Sequence, residues 1–162
     1  MRLSRRETAA VAVFLSLAGC GSPPPGPPPT IGSFGDFRPA TGRPHYLACP
    51  QNYCIARADQ ITPLLSIRAA DLRNIVRRTL DDEPRITLLA TANEGLRLTY
   101  RQDGGMFGTS GTVTVEVVDA DEGVSGLVLY GESDGSDASG ARDRVRDWLA
   151  DINAAVAHTA RR

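Results

Sequence analysis

Residues 86–100, ITLLATANEGLRLTY, and residues 112–130, TVTVEVVDADEGVSGLVLY, decide how this chain folds. In the first stretch Ile86 to Ala92 is strand-like, Asn93-Glu94-Gly95 is a turn signal, and Leu96, Leu98 and Tyr100 then alternate with Arg97, Thr99 and Arg101. In the second, Val113, Val115 and Val117 alternate with Thr112, Thr114 and Glu116, and Asp119 to Gly123 turns the chain into Val124 to Tyr130. Alternation with period two sends successive side chains to opposite faces of a strand. Two hairpins result, and strands joined by short turns must run antiparallel.

A helical period flanks these strands on both sides. From Arg68 to Leu80, the residues Leu72, Ile75, Val76, Thr79 and Leu80 form one stripe, with Asp71 in the first turn and Arg77 and Arg78 in the last. Val145, Trp148, Leu149, Ile152 and Val156 repeat the spacing, with Ser139 or Asp137 as the N-cap. Tyr100 and Trp148 read as core or interface aromatics. The expected fold is α+β, in the order α-β-β-β-β-α: a four-stranded antiparallel meander with two helices packed on one face. The chain has 162 residues, 41% hydrophobic and 23% charged, which fits a single domain, placed at residues 44–158.

The N-terminus carries the most specific signal. Arg2, Arg5 and Arg6 precede an apolar stretch from Thr8 to Ala18, and Leu17-Ala18-Gly19-Cys20 closes it with small residues before a cysteine. This pattern is similar to a bacterial lipoprotein signal, with residues 1–19 removed and acyl chains placed on Cys20. The stretch falls short of the roughly 20 apolar residues a membrane-spanning helix needs, whereas several acyl chains on one residue give stable anchoring. An ordinary secretory signal is the plainer alternative. A twin-arginine signal at Arg5-Arg6 fits less well, because Glu7-Thr8 follows the pair. Gly21, rather than an aspartate, follows the cysteine, so the expected location is the outer membrane, facing the periplasm. Residues 23–44 hold eight of the chain's 11 prolines, and residues 20–43 read as a linker that reaches up to roughly 70 Å. A proline-rich ligand for a recognition domain is the alternative.

Charge and composition exclude other classes. All 18 basic residues are arginine against 19 acids, a formal net charge of -1, so no basic excess points to nucleic acid. Two histidines and three cysteines cannot supply a histidine-rich metal centre or an iron-sulfur cluster, and no cofactor or metal is expected. With Cys20 taken by lipid, Cys49 and Cys54 remain in an exported chain, where a disulfide is the leading reading. A redox pair, or a metal site with His45, are the sharper alternatives.

The loop 131–140, GESDGSDASG, and its flanks are the candidate binding region, through Tyr130, Glu132, Ser133, Asp137 and Arg142. A calcium site finds no support in the spacing of Asp134 and Asp137, which departs from the EF-hand pattern. Ser133, Asp137 and His158 are the residue types of a hydrolytic triad, but no nucleophile-elbow sequence surrounds any serine. Asp137 is expected to cap the last helix, with Arg142 within reach of it or of Glu132.

Residues 44–50, PHYLACP, then Cys54, Ala56, Asp59 and Pro63, resemble the start of a bacterial envelope family, domain of unknown function 1499. Glu83-Pro84-Arg85, Leu96-Arg97-Leu98, Met106-Phe107, residues 113–117 (VTVEV), residues 127–130 (LVLY) and residues 142–149 (RDRVRDWL) are similar to its later segments, in order. The resemblance covers about residues 44–150. Family members tend to show Ser-Arg-Ser after the tyrosine and Gly-x-Ser-Asp-x-Gly-x-Asn-Arg before the last helix; here Glu132 replaces the arginine and Ala141 the asparagine, while Ser136, Asp137 and Arg142 survive. The family has no settled activity, so the resemblance implies fold and envelope location and no reaction. The expected function is a lipid-anchored, non-catalytic envelope module whose partners are the membrane and an envelope protein or small ligand. The alternative is a hydrolase-like envelope enzyme using Glu132, Asp137 and Arg142.

Overall fold

Strands β1 (His45–Pro50) and β2 (Gln60–Thr62) come first, followed by helix α1 (Ala69–Asp81), strands β3 (Ile86–Ala92), β4 (Arg97–Gln102), β5 (Gly111–Asp121) and β6 (Val124–Ser133), and helix α2 (Ser139–Thr159). The structure, a computed structural model, describes residues 34–39, 42–105 and 108–161. Cys20 and the residues read as signal lie outside the described residues, as does the proline tract.

The fold is α+β, and the meander of β3, β4, β5 and β6 is present, each strand antiparallel to the next. The sheet nevertheless has six strands rather than four, in the order β2-β1-β6-β5-β4-β3. β1 pairs antiparallel with β6, and β2 pairs parallel with β1, so the sheet is mixed and the element order is β-β-α-β-β-β-β-α. The physical reason is an edge: β6 has ten residues and hydrogen-bonding groups on both sides. A long unpaired edge is a liability that proteins cover, and residues 45–50 cover this one. Their sequence, HYLACP, has no polar alternation and ends in a proline, so nothing local marks it as a strand.

The two hairpin turns use backbone conformations that their residues tolerate. Asn93, Glu94 and Gly95 all take positive φ, at 52°, 54° and 87°, and connect β3 to β4. Asn and Gly enter this left-handed region readily; Glu94 does so at a cost. Gly123, at φ 73°, turns β5 into β6.

Each face of the sheet has its own core. On one face, Leu98, Tyr100, Val113, Val115, Val117, Leu127 and Leu129 meet Leu72, Val76 and Leu80 of α1 and Val145, Trp148, Leu149 and Ile152 of α2. The Trp148 ring stands edge-on to Tyr100 at 5.8 Å. Gly131 lets α2 lie close to the sheet, because a Cβ there would come within 2.7 Å of Val145 Cγ2. On the other face, Phe34, Leu47, Cys49, Val118, Val128 and Tyr130 form a smaller core, flanked by Phe37, Tyr53 and Cys54. Phe34 and Phe37, in the tract read as linker, therefore pack on the sheet.

Cys49 and Cys54 are joined in a disulfide that closes the loop between β1 and β2. Both thiols are consumed by that bond, which removes the metal reading with His45. His45 Nδ1 instead lies 2.9 Å from the Arg43 carbonyl oxygen.

Candidate functional site

The C-terminal half of β6 and the start of α2 distribute the five candidate residues over three places. Tyr130 and Glu132, two apart on one strand, project from the same face of the sheet, away from the helices. The Tyr130 hydroxyl donates to Glu132 Oε1 at 3.0 Å, and Arg43 reaches Glu132 Oε2 at 3.4 Å. Phe37 stands edge-on to the Tyr130 ring at 4.6 Å, and His45, the register partner of Glu132, lies tilted against it at 5.8 Å. Burial, then the charge of Glu132, push the Tyr130 hydroxyl well above its ordinary pKa. It is a neutral donor at every physiological pH.

Ser133 ends β6. Its N–H donates to the Pro44 carbonyl at 3.0 Å, and its Oγ accepts from the Gly135 N–H at 3.1 Å. Beyond it the loop runs beside residues 103–110: the Asp134 N–H donates to the Ser110 carbonyl at 3.0 Å, and Arg101 binds the Asp134 carboxylate at 2.9 Å.

Asp137 and Arg142 are exposed. The Asp137 carboxylate accepts the Ser139 N–H at 2.7 Å and also bonds the Ser139 hydroxyl. These bonds hold its carboxyl below the usual carboxylate range. Neither Asp137 nor Ser139 is the N-cap expected from the sequence: Ala138 holds that position with no side-chain cap bond, and Asp137, one residue earlier, binds Ser139 at the first position of the helix. Arg142 does not reach Asp137 or Glu132; its Nε donates to Asp143 at 3.0 Å. Glu132, Asp137 and Arg142 therefore do not converge on a common point.

Arg144 was not singled out from the sequence, and it is the most unusual residue here. It is 7% exposed, donates from Nη2 to the Thr109 carbonyl at 2.6 Å and from Nη1 to the Glu132 carbonyl at 3.5 Å, and faces no carboxylate within ion-pair distance among the described residues. Gly111 makes room for it, since a Cβ there would meet Nη1 at 2.5 Å. Its two carbonyl bonds tie α2 to the ends of β5 and β6, a structural staple. The available signal was its position in the inward stripe of α2, three residues after Ala141 and beside Val145, where an arginine is out of pattern.

Two open clefts lie away from this region, between α1 and the end of α2. One of about 350 Å³ is lined by Ile67, Asn74, Arg78 and Val156, the other of about 310 Å³ by Ile75, Thr79, Ala155 and His158. Neither is lined by Tyr130, Glu132, Ser133, Asp137 or Arg142. Among the described residues, no group of three or more His, Cys, Asp or Glu could hold a metal ion, and no helix is long and apolar enough to cross a membrane. No family model matches the chain, and no curated protein matches it.

Proposed function

We propose that the chain is a lipid-anchored protein of the bacterial envelope, held through acylated Cys20 at the outer membrane and facing the periplasm, and that its folded part is a binding or structural module akin to the envelope family that residues 44–150 resemble. The observation that carries the reading is the segment ending in Leu17-Ala18-Gly19-Cys20, a basic and then apolar leader of the length that export signals have. The Cys49–Cys54 disulfide supports it, since such bonds persist in oxidising compartments.

The dispersal of Glu132, Asp137 and Arg142 removes the constellation on which a hydrolytic reading would rest, so the proposal assigns no reaction. Tyr130 and Glu132 are instead engaged by Arg43, Phe37 and His45 in a packed cluster that braces the start of β1. The test is membrane fractionation with mass analysis of the N-terminal peptide. Wild-type protein is expected in the membrane fraction with Cys20 acylated, and Cys20→Ser is expected to be soluble or unprocessed. Unchanged membrane retention and normal processing of Cys20→Ser would overturn the anchor.

A further inference from the structure

The large hydrophobic side chains exposed among the described residues are Ile55 (61%), Ile61 (58%), Leu64 (56%) and Leu89 (43%). Scattered singly, such residues need no explanation. The first three are not scattered. Ile61 on β2 is the register partner of Cys49 on β1. Ile55 follows Cys54, which is bonded to Cys49. Leu64 and Pro50 both crowd the open side of Gly126, at 3.2 and 2.9 Å from the position of a Cβ there. All three therefore surround Cys49-Pro50, at the β2 edge of the sheet. Leu89 lies on β3, the opposite edge.

The described chain also begins beside this patch. The Ile55 N–H donates to the Gly35 carbonyl at 3.2 Å, so the residues leading back to Cys20 depart from next to Ile55. Arg57 is exposed and makes no ion pair among the described residues, and the nearby Asp59, also exposed, accepts the Leu47 N–H at 2.8 Å. The patch is thus apolar, with the exposed Arg57 and Asp59 both on its flank.

We infer that the β2 edge, through Ile55, Ile61 and Leu64, docks on the phospholipid surface to which the chain is tethered. The inference rests on the anchor proposed above. The 14 residues from Cys20 to Ser33 reach at most about 50 Å, which confines the domain to a thin layer above the lipid. Confinement turns docking into an intramolecular event, for which a patch too small to hold a free protein on a membrane suffices. Arg57 meets anionic headgroups as the aliphatic side chains enter the interface.

The test is hydroxyl-radical footprinting of the acylated protein reconstituted on vesicles of phosphatidylethanolamine and phosphatidylglycerol, with the Cys20→Ser chain in solution as reference and Leu89 as internal control. Oxidation of Ile55, Ile61 and Leu64 is expected to fall at least about threefold on vesicles while Leu89 is unchanged, and the double variant Ile61→Ser, Leu64→Ser is expected to restore oxidation of Ile55. If the patch is oxidised as in solution, or falls together with Leu89, docking is overturned and the anchor stands. If mass analysis finds no acyl chain on Cys20, the anchor is overturned and docking with it. Protection of the patch in the unanchored chain that grows with protein concentration would mean that a second copy covers it, which also overturns the lipid assignment.

Discussion

The two faces of the sheet are built by different means. On the helix face, fifteen buried residues from both helices and four strands share one core, and the loss of any one leaves many neighbours. On the other face no helix among the described residues covers the sheet. The cover is a short segment, residues 34–39, together with the disulfide-closed loop, and beneath it a polar pair replaces part of the apolar contact. Arg97 binds Glu116 at 3.1 Å, with side chains 11% and 5% exposed, Glu116 also accepts the Phe34 N–H at 3.4 Å, and the Arg97 guanidinium lies 5.6 Å from the centre of the Phe34 ring. The first face is redundant. The second depends on a few specific residues, one of which, Phe34, is 82 positions away from its partner Glu116.

The largest effect is expected where that dependence is greatest. Glu116→Ala removes the carboxylate that binds Arg97 and accepts the Phe34 N–H; breaking a buried pair in this way costs about 3–5 kcal/mol. Replacing Arg97 and Glu116 together by apolar residues of similar volume is expected to cost far less, and chemical denaturation of the three variants checks the difference. Equal destabilisation by the single and double changes would mean that the pair contributes packing rather than charge.

Phe34→Ala comes next, at about 3 kcal/mol, the low end for loss of a large buried aromatic because the covering segment is short. Loss of Trp148 from the helix face by Trp148→Ala is expected to cost a comparable amount, but the two variants should differ in kind. Near-ultraviolet dichroism and hydrogen exchange should show Phe34→Ala loosening β1 and the disulfide loop while the helices stay protected. If Phe34→Ala is silent in denaturation, the second core is not a core.

Reduction of Cys49–Cys54 is expected to cost about 2 kcal/mol, as the chain-entropy model gives for so small a loop. The lost protection should be confined to residues 45–62. Redistribution across both faces would join the two cores into one cooperative layer and erase the contrast.

The smallest effect is expected at Asp137, which touches neither core. Its carboxyl is lowered by the Ser139 bonds, so its contribution is complete above the ordinary value of 3.8 and fades as pH falls through the lowered value in the folded state. Asp137→Asn should flatten that acid limb of the thermal unfolding profile by slightly lowering stability at neutral pH while leaving it unchanged at low pH. An unaltered acid limb would show that the bonds to Ser139 carry no stability.

The same contrast explains what the sequence made legible. Period two in β4 and β5 and period 3.6 in α1 and α2 write the helix face directly into neighbouring residues, and α1 differs from the expected segment by only one residue at each end. The second face is not written locally. His45 to Pro50 lacks alternation, Phe34 and Phe37 sit in a segment rich in glycine and proline without strand or helix periodicity, and the pairing of Arg97 with Glu116 depends on the register between β4 and β5. The candidate region divides in the same way. Tyr130 and Glu132 are brought together because they share a strand face, whereas Asp137 and Arg142 turn to their own sequence neighbours. Arg43, Phe37 and His45 join the first pair through β1, which the sequence did not show as a strand.

Residues ahead of β1 are part of the fold and build its second face. Hydrogen exchange at the Phe34 amide, followed by nuclear magnetic resonance, tests it most directly, because that N–H is held by the Glu116 carboxylate beneath a ring of 0% exposure. Protection of Phe34 is expected to approach that of the β6 amides and to be lost in Glu116→Ala. Exchange of the Phe34 amide at the rate of an unstructured peptide, with β6 fully protected, would contradict it.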